Sequence, residues 1–370
     1  MRVLHFLDTT NRGGAEMQAL DVCRNASDAG IDLTFVTAKG GVMETEFVES
    51  GAEFIRLGRR FPVDLYLASE LRKIIKERNI EIVHGYQAVE GVHLYLAARG
   101  LKGVKKVLSF QGGTKYDWKN RRALRFLIPR MDANIVVSGA LKNWHRKVDK
   151  FDVSSFRVVY NGADPKRLAP QGRDLRKELD VPDKTLLIGM IGNFYREKRK
   201  DQLTLCKALP RIFREVPNVH CVFAGGVADG AEDKFADCLN FTLENNISDR
   251  VHFLGARKDV PDVLDALDVF VFSSFHEGLP VALAEAMLAR VPAVVSDIEP
   301  LLEASAEGKY AEVFHLQDAD ELADRILKLL GDEAYRRDLA DNAFRFAEDN
   351  FSIGAHLKGL TELYRELLAR

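Results

Sequence analysis

Short apolar runs rich in Val, Ile, Leu and Phe alternate with stretches of helical periodicity along the chain. Most of these runs are continuously apolar, as in strands that helices cover on both faces. Strands alternating with helices predict doubly wound parallel sheets, and therefore an α/β protein. The predicted strands are residues 3–7, 33–37, 81–84, 106–110, 134–138 and 157–160, then 186–192, 220–225, 251–255, 269–273, 292–296 and 311–314.

Two sets of six strands in 370 residues predict two Rossmann-like domains. We assign residues 1–165 to the first domain and 166–345 to the second, followed by a helical segment, 346–370. The join lies near 160–172, which contains two Gly and two Pro and shows no apolar periodicity. Ligands of open parallel sheets bind beyond the carboxyl ends of the strands, so two facing sheets predict one cleft between the domains.

The bulk composition excludes several classes of protein. Hydrophobic residues make up 46% of the chain and charged residues 29%, which is typical of a globular protein and not of a disordered one. No run approaches the roughly eighteen apolar residues of a membrane span, and the start predicts a short buried strand instead of a secretory signal. The four cysteines form no C-x-x-C pair and no metal-ligand spacing, so we expect reduced thiols in a cytoplasmic protein.

The net charge of −2 conceals an asymmetry along the chain. Residues 1–165 carry 26 Lys and Arg against 19 Asp and Glu, whereas the remainder carries 27 against 36. The basic excess is concentrated in residues 99–130, which hold ten basic residues and one acid, Asp117. Such a field favours an anionic partner, namely phosphate, a lipid headgroup or nucleic acid. A solvated basic face is the open alternative.

A glycine pair follows the first predicted strand in the segment NRGGAE, residues 11–16. Gly13 and Gly14 would allow a ligand close to the backbone at a helix start, where free amides and the helix dipole favour an anion. The segment lacks the G-x-G-x-x-G dinucleotide fingerprint. A plain strand-to-helix turn explains the pair about as well.

A basic turn follows the first strand of the second half, in GNFYREKRKDQLTL, residues 192–205. Arg196, Lys198, Arg199 and Lys200 cluster there, just before a predicted helix. Cations beside a helix start suit a diphosphate, which they bind through charge-assisted hydrogen bonds. An exposed basic turn is the alternative.

Two carboxylates stand in the otherwise small and apolar stretch HEGLPVALAEAM, residues 276–287. Glu277 follows a predicted strand, and Pro280 is well suited to the first position of the next helix. Glu285 then lies on a helix among small apolar residues, where an unpaired carboxylate would be costly to bury. The vicinal hydroxyls of a sugar or a ribose could satisfy both carboxylates. Alternatively, Glu277 is solvated and Glu285 merely offsets the helix dipole.

These motifs together resemble glycosyltransferase family 4, which has the GT-B fold, along essentially the full length of the chain. The pair of glutamates separated by seven residues, in an EG-x-P…EAM setting followed by VPAVVSD, matches the family's pattern. NRGGAE resembles its glycine loop, VVYNGADPKRLAP its interdomain segment, KDQLTLCKAL its phosphate-site lysine and helix, and DALDVFVFSSFHEG the approach to the glutamates.

The resemblance implies a retaining transfer of sugar from a nucleotide sugar, without a metal or another cofactor. Glu285 would accept the ribose hydroxyls and Glu277 the hydroxyls of the donor sugar. Arg196 and Lys200 would stabilise the charge that develops on the leaving diphosphate. That phosphate would itself assist deprotonation of the acceptor, so no dedicated protein base is required. The resemblance further implies donor-binding roles for Gly278, Leu279, Pro280, Val281, Lys198 and Gly255, and a role in a diphosphate or acceptor loop for Gly13, Gly14 and Gln111.

The chain departs from the family pattern at three positions. Asn193 stands where the family usually has Arg, and Arg196 is the candidate substitute. Counting forward from Gly192 selects Lys198 as the phosphate-site lysine, whereas counting back from the helix selects Lys200, which we favour. Gln111, in SFQGG, stands where the family often has a His; it can bond a sugar hydroxyl but cannot carry a proton. His84 is a candidate compensator, with a packed or capping His as the alternative.

Two further motifs carry weaker signals. The triplet DAD, residues 318–320, resembles a D-x-D metal motif, but it opens a helical run and predicts an N-cap. Residues 116–131 mix Tyr, Trp, Phe, Leu and Ile with five basic residues, which fits a helix lying on anionic lipid. A helix packed on its own domain with its basic face in water is an equal alternative.

We therefore expect a cytoplasmic glycosyltransferase, with a peripheral position at the inner membrane face as a further expectation. Its N-terminal domain would bind a glycan or lipid-linked acceptor in polysaccharide or glycolipid synthesis. Its C-terminal domain would bind a UDP- or GDP-linked sugar, and its last helix would cross back to the first domain. We expect no nucleic-acid partner. The alternatives are a GT-B nucleotide-sugar epimerase and a non-catalytic sugar-binding protein.

Overall fold

The computed structural model describes residues 1–112 and 116–370, which form two compact units. Unit 1 comprises residues 1–162 and 353–370, and unit 2 comprises residues 163–352. The units therefore meet in sequence at 162/163 and 352/353, a few residues from the expected limits 165/166 and 345/346. Residues 346–351 remain in unit 2 because they complete a helix that ends only at Phe351, before the extended backbone of Ser352.

Unit 1 contains a parallel sheet in the order β3-β2-β1-β4-β5-β6-β7. The order reverses between β1 and β4, so ligand-binding loops are expected beyond these two strands. The strands are β1 Arg2–Leu7, β2 Asp32–Thr37, β3 Glu53–Arg56, β4 Ile82–Tyr86, β5 Lys105–Phe110, β6 Ala133–Val136 and β7 Phe156–Val158. The helices are α1 Gly14–Asn25, α2 Glu44–Val48, α3 Leu65–Glu77, α4 Gln87–Ala98, α5 Trp118–Leu127 and α6 Gly139–Trp144.

Unit 2 contains a second parallel sheet in the order β10-β9-β8-β11-β12-β13, which reverses between β8 and β11. Its strands are β8 Leu186–Ile191, β9 Val219–Ala224, β10 Val251–Gly255, β11 Val269–Phe272, β12 Ala293–Ser296 and β13 Glu312–Phe314. Its helices are α7 Leu175–Glu178, α8 Gln202–Glu215, α9 Glu232–Glu244, α10 Val260–Ala266, α11 Val281–Leu288, α12 Glu299–Ala304, α13 Ala319–Gly331 and α14 Glu333–Phe351. The predicted pair of doubly wound parallel sheets is thus confirmed.

The chain's last helix, α15 Ile353–Leu368, belongs to unit 1. It buries an apolar stripe in the same core cluster as the first strand and helix, and Tyr364 in its C-terminal half is fully buried. The phenol hydroxyl of Tyr364 lies 3.0 Å from His5 Nε2 and 2.5 Å from His84 Nδ1. A polar contact with both strand histidines therefore accompanies the apolar packing of this helix.

His5 and His84, which contact α15 through Tyr364, belong to one continuous buried network of polar contacts. Tyr86 Oη lies 2.9 Å from His5 Nδ1, and His84 Nε2 lies 2.6 Å from Ser109 Oγ. Both rings are 1% exposed, and both nitrogens of each are engaged. His84 is thus a packed core residue, which agrees with the packed alternative and leaves neither nitrogen directed at solvent.

Aspartate side chains cap helices in both units. Asp64 caps α3 by accepting the amide hydrogens of Tyr66 and Leu67 at 2.9 and 3.2 Å. Asp318 caps α13 by accepting the amide hydrogen of Glu321 at 2.9 Å. The DAD triplet is therefore an N-cap, as predicted. Within residues 1–112 and 116–370, no helix is both long and apolar enough to cross a bilayer.

Candidate functional site

The two loops at the reversal point of the unit 2 sheet contact each other directly. β8 and β11 are neighbours, so the turns that follow them lie side by side. Ser274 Oγ donates to the Arg199 carbonyl at 2.6 Å, and the Phe275 amide donates to the same carbonyl at 2.8 Å. The Asp201 amide donates to the Ser273 carbonyl at 3.1 Å. The basic turn and the turn that carries Glu277 are thus joined into one structure.

Glu277 and Lys200 form the central ion pair of this structure. Lys200 Nζ donates to Glu277 Oε1 at 2.5 Å, and Ser274 Oγ lies 2.7 Å from the same oxygen. The two charged side chains are only 11% and 10% exposed. Lys200 Nζ also lies 3.8 Å from the centroid of the Phe272 ring. The turn therefore holds a cation and an anion together in a largely buried position beside an aromatic ring.

Burial sets the protonation behaviour of Lys200. It lowers the pKa of the ammonium group, while the neighbouring Glu277 carboxylate acts in the opposite direction. An ammonium with little water around it interacts strongly with any further anion that enters the site. Lys200 is therefore well placed to act on a phosphate group.

Glu285 lies in α11, between the buried residues Ala284 and Ala286. Its own side chain is 9% exposed, and Arg167 Nη2 donates to its Oε1 at 2.7 Å. Arg167 belongs to the segment after β7 that was predicted only as the join between the domains, so its contact with Glu285 was not predicted. The sequence did contain an indication of such a partner: burying the Glu285 carboxylate is costly unless a cation or a hydroxyl-rich ligand lies nearby.

The turn between Glu277 and α11 contains the other predicted donor-binding positions. Leu279 is 5% exposed and packs inward. Pro280 was predicted as the first helical residue, but this is wrong by one position: its ψ of 112° is extended and α11 begins at Val281. The Pro280 carbonyl still accepts the first helical bonds, from Leu283 and Ala284. Glycine at position 278 precedes these residues in the turn.

The remaining cations of the basic turn differ from Lys200 in exposure. Arg196 and Lys198 are both exposed, whereas Lys200 is enclosed. Lys234 of α9, whose role was not predicted, donates to the Tyr195 and Glu197 carbonyls at 2.8 Å each and fixes this turn. Of the two lysines between which counting could not decide, Lys200 is thus the one that contacts Glu277.

Glycines allow the strand ends beside the basic turn to approach closely. A Cβ on Gly225 would lie 2.2 Å from the Gly192 carbonyl oxygen, so only glycine fits there. Asn193 Oδ1 accepts the Gly226 amide hydrogen at 2.8 Å, so this departure from the family pattern has a structural role. Gly255 ends β10 with φ +65°, and its carbonyl accepts the Gly225 amide hydrogen at 2.8 Å.

Unit 1 contains the predicted loop residues. Gly13 caps α1 and Gly14 is its first residue, at the reversal point beyond β1. The Glu16 carboxylate lies beside this loop, since a Cβ on Gly13 would be 2.6 Å from Glu16 Oε2. Burial raises the pKa of the Glu16 carboxyl group. A raised pKa favours the neutral form, which repels an anion at the loop less than a carboxylate would.

Gln111 follows β5 in unit 1. Its Oε1 is buried, and no residue within the described part of the chain donates a hydrogen bond to it. The next glycine but one, Gly113, lies outside the described residues. An unsatisfied buried acceptor fits the expectation that a ligand hydroxyl donates to Gln111.

In the part of the chain that the structure describes, side chains that could together hold a metal ion do not cluster. Among residues 1–112 and 116–370, no group of three or more His, Cys, Asp or Glu side chains could hold an ion. The four cysteines are buried free thiols.

Two successive doubly wound parallel sheets, with charged loops at the reversal point of the second, are the architecture of the GT-B fold. The family description "Glycosyltransferase Family 4" matches residues 12–167, and "Glycosyl transferases group 1" matches residues 172–346. The two matches together extend over most of the chain. The chain belongs to glycosyltransferase family 4, as its motifs had indicated.

Similar proteins from bacteria are glycosyltransferases or related synthases. N-acetyl-alpha-D-glucosaminyl L-malate synthase of Bacillus anthracis is 26% identical over 314 residues, covering 83% of this chain and 80% of that protein. UDP-Gal:alpha-D-GlcNAc-diphosphoundecaprenol alpha-1,3-galactosyltransferase of Escherichia coli is 24% identical over 321 residues, covering 82% and 80%. Neither the epimerase nor the sugar-binding alternative is favoured by these relatives.

A solved structure has the same fold. HepE of Anabaena in complex with UDP-glucose superposes with a TM-score of 0.84 over 99% of this chain and 100% of that one, at 20% identity. The likeness extends over both units of the chain.

Proposed function

We propose that this glycosyltransferase transfers a hexosyl or N-acetylhexosaminyl group from a UDP- or GDP-linked sugar, with retention of configuration and without a metal. The observation that carries the proposal is the joined pair of loops at the reversal point of the unit 2 sheet. There a largely buried Lys200 pairs with Glu277, and Glu285 follows on the next helix.

Each group of this site has a distinct role in the proposal. Lys200 binds the diphosphate and stabilises the charge it gains as it leaves, with Arg196 as a second, more exposed cation. Glu277 accepts hydrogen bonds from hydroxyls of the donor sugar, and Glu285 accepts hydrogen bonds from the ribose hydroxyls. The turn formed by residues 278–281 and the end of β10 at Gly255 enclose the rest of the donor.

The reaction needs no oxidant and no bound metal. The bond between the anomeric carbon and the diphosphate oxygen breaks, and a bond forms from that carbon to an acceptor hydroxyl oxygen on the same face. The acceptor proton passes to the leaving diphosphate, which departs as the nucleoside diphosphate. The protein contributes fixed positions and electrostatic stabilisation.

The acceptor is proposed to be a glycan or a lipid-linked sugar bound by unit 1, near Gly13, Gly14 and Gln111. Support comes from the E. coli relative, which is named as a galactosyltransferase for a diphosphoundecaprenol-linked sugar. The unsatisfied buried Oε1 of Gln111 is a second support, because a sugar hydroxyl would satisfy it. We propose a cytoplasmic enzyme of polysaccharide or glycolipid synthesis.

Thermal unfolding with UDP, GDP, UDP-glucose, UDP-N-acetylglucosamine and GDP-mannose tests the donor site. We expect one nucleotide series to stabilise the wild type, by about 2.7 kcal/mol at roughly one hundred times its dissociation constant. Glu285→Ala should lose that stabilisation because the ribose hydroxyls lose their acceptor. Glu232→Ala, an exposed position at the start of α9 in the same unit, is the matched control and should behave as the wild type.

Two results would count against the donor assignment. Failure of every nucleotide to stabilise the wild type would remove the proposed function altogether. Equal stabilisation of Glu285→Ala would remove only the ribose role of that carboxylate. Product analysis with the donor alone separates transfer from epimerisation, since an epimerase changes the sugar without any acceptor.

We further propose that α5 contacts anionic lipid at the membrane surface. Trp118 and Phe126 are 66% and 46% exposed on this helix. Cations accompany both rings: Lys119 lies 5.6 Å from the Trp118 ring and Arg130 lies 4.0 Å from the Phe126 ring. Exposed aromatic residues flanked by cations suit the boundary between headgroups and acyl chains.

Sedimentation with phosphatidylcholine vesicles, with and without phosphatidylglycerol, tests the lipid contact. Each Lys or Arg near an anionic surface contributes about 1 kcal/mol, so Lys119→Gln/Arg122→Gln should weaken binding roughly thirtyfold. Trp118→Ala/Phe126→Ala should also release the protein, whereas Leu243→Ala, which removes an exposed apolar side chain of unit 2, should not. Equal binding by all variants would contradict the proposal.

A further inference from the structure

Arg167 lies against the carboxylate that the proposed function assigns to the ribose. Its Nη2 donates to Glu285 Oε1 at 2.7 Å. The Arg167 side chain is 13% exposed and that of Glu285 is 9% exposed, so the pair is largely removed from water. A guanidinium is always charged and planar, and its hydrogen bonds fix the orientation of a carboxylate. The contact therefore constrains both the charge and the direction of Glu285.

The segment that carries Arg167 is held at both ends. At its start, the Ala163 amide donates to the Phe351 carbonyl at 2.8 Å. At its end, the amides of residues 171–173 all donate to Asp262 Oδ1, at 2.6, 2.9 and 3.2 Å. A short segment fixed in this way presents its side chains from a defined backbone. The position of the guanidinium is thus built into unit 2.

We infer that Arg167 is a positioning residue, which keeps the Glu285 carboxylate ionised and oriented to accept the two ribose hydroxyls of the donor nucleotide. The inference rests on the proposed function, because it concerns the same carboxylate. A carboxylate has about four lone-pair sites, so a bond from Arg167 is compatible with bonds from two vicinal hydroxyls. Without the cation, the buried carboxyl group would favour its neutral form, which accepts fewer hydrogen bonds.

A competing role for Arg167, in which it blocks the ribose position, predicts the opposite change in nucleotide affinity. If the guanidinium instead occupied the place of the ribose, the nucleotide would have to displace it. Removing Arg167 would then tighten nucleotide binding, whereas removing a positioning residue weakens it. The sign of the change therefore separates the two roles.

Calorimetric titration with UDP and GDP, and with their 2′-deoxy and 3′-deoxy counterparts, tests the inference. Arg167→Ala should weaken binding of the ribonucleotide that the wild type prefers by roughly ten- to a hundredfold. The deoxynucleotides should be affected much less, so the preference for ribose should fall towards one. Arg167→Lys should restore part of the preference, because it returns the charge without the planar fork. Arg173→Ala removes a 67% exposed cation from the same segment and should match the wild type.

A double variant keeps the test decisive if Arg167→Ala is unstable. Arg167→Ala/Glu285→Gln leaves no unpaired buried charge, and it should bind no more weakly than Glu285→Gln alone. Additive losses in this cycle, or an unchanged ribose preference in Arg167→Ala, would overturn the positioning role. A wild type that binds no nucleotide would instead reject the proposed function, and this result is distinguishable from the other two.

Discussion

Replacing Lys200 by Ala is expected to lower kcat for sugar transfer by about two to three orders of magnitude, the usual cost of removing one fixed group that stabilises transition-state charge. Lys200 is enclosed, and its ammonium already lies 2.5 Å from Glu277 Oε1. A phosphate that enters beside this pair meets a cation with little competing water. Steady-state kinetics with saturating donor measure the effect on kcat directly.

The variant also leaves Glu277 without its cation, and this second effect has to be separated from the first. Breaking a largely buried ion pair by removing one partner destabilises by about 3–5 kcal/mol. Lys200→Ala/Glu277→Gln removes the stranded charge, so it should recover stability while activity stays low. Denaturant unfolding of both variants distinguishes loss of chemistry from loss of the folded site.

The neighbouring lysine provides the matched control for Lys200. Lys198 is exposed, and its ammonium lies 5.9 Å from the Phe275 ring. Lys198→Ala changes the net charge equally and should reduce kcat only a few-fold, because exposed charges interact weakly through water. A large loss in Lys198→Ala with normal activity in Lys200→Ala would reverse the assignment of the two lysines.

The central strands and their loops were predictable because burial on both faces makes their sequences continuously apolar. β8 and β11 were found in this way, and the basic turn and the Glu277 turn then followed from the rule that ligands bind beyond strand ends. The contact between these turns depends on the strand order, which apolar runs do not encode. Sequence therefore identified both loops and favoured Lys200 over Lys198 by counting back from the helix, but it could not show the contact of Lys200 with Glu277.

The edge strand β3 was missed for a physical reason. Glu53–Arg56 is short, and both of its ends are exposed, so it lacks the apolar run that marked the other strands. Edge strands are often short and charged, which limits pairing with other chains. Arg167 was missed for a different reason: its partner Glu285 is more than one hundred residues away, and no local pattern reports a contact over that separation.

Acidification is expected to destabilise unit 1 because the buried residues His5, His84 and His356 fold in the neutral form. Burial lowers the pKa of His5 to about 3 and of His356 to about 4, and it lowers the pKa of His84 well below the ordinary value. These histidines therefore bind protons near pH 6.5 in the unfolded chain, but they remain neutral at that pH in the folded chain. The contribution of the neutral histidines to the free energy of unfolding is complete above about pH 6.5, and it is lost as the pH falls towards their pKa values in the folded chain.

A buried carboxyl group in the same unit acts in the opposite direction. Glu90 of α4 is 6% exposed and accepts the Asp8 amide hydrogen at 3.0 Å. Burial raises the pKa of Glu90 to about 8, so the folded chain holds a proton there that the unfolded chain releases above about pH 4.5. This contribution grows as the pH falls from 8, and it offsets part of the loss from the histidines. Between pH 7 and pH 5 the net loss from these three histidines and Glu90 together should be about 3 kcal/mol.

Variants at these groups should change the slope of stability against pH with opposite signs. His356→Gln removes one neutral histidine and keeps an amide that can donate to the Tyr160 carbonyl, which His356 contacts at 2.6 Å, so the acid loss should become shallower. Glu90→Gln removes the opposing group, so the loss should become steeper, in each case by about 1.4 kcal/mol per pH unit. His315→Gln alters an exposed ion pair with Glu321 and should leave the slope nearly unchanged, because solvent screens that pair. Urea unfolding at pH 5, 6 and 7 measures all three slopes, and parallel curves for the His356 and Glu90 variants would show that these buried groups do not control the acid response.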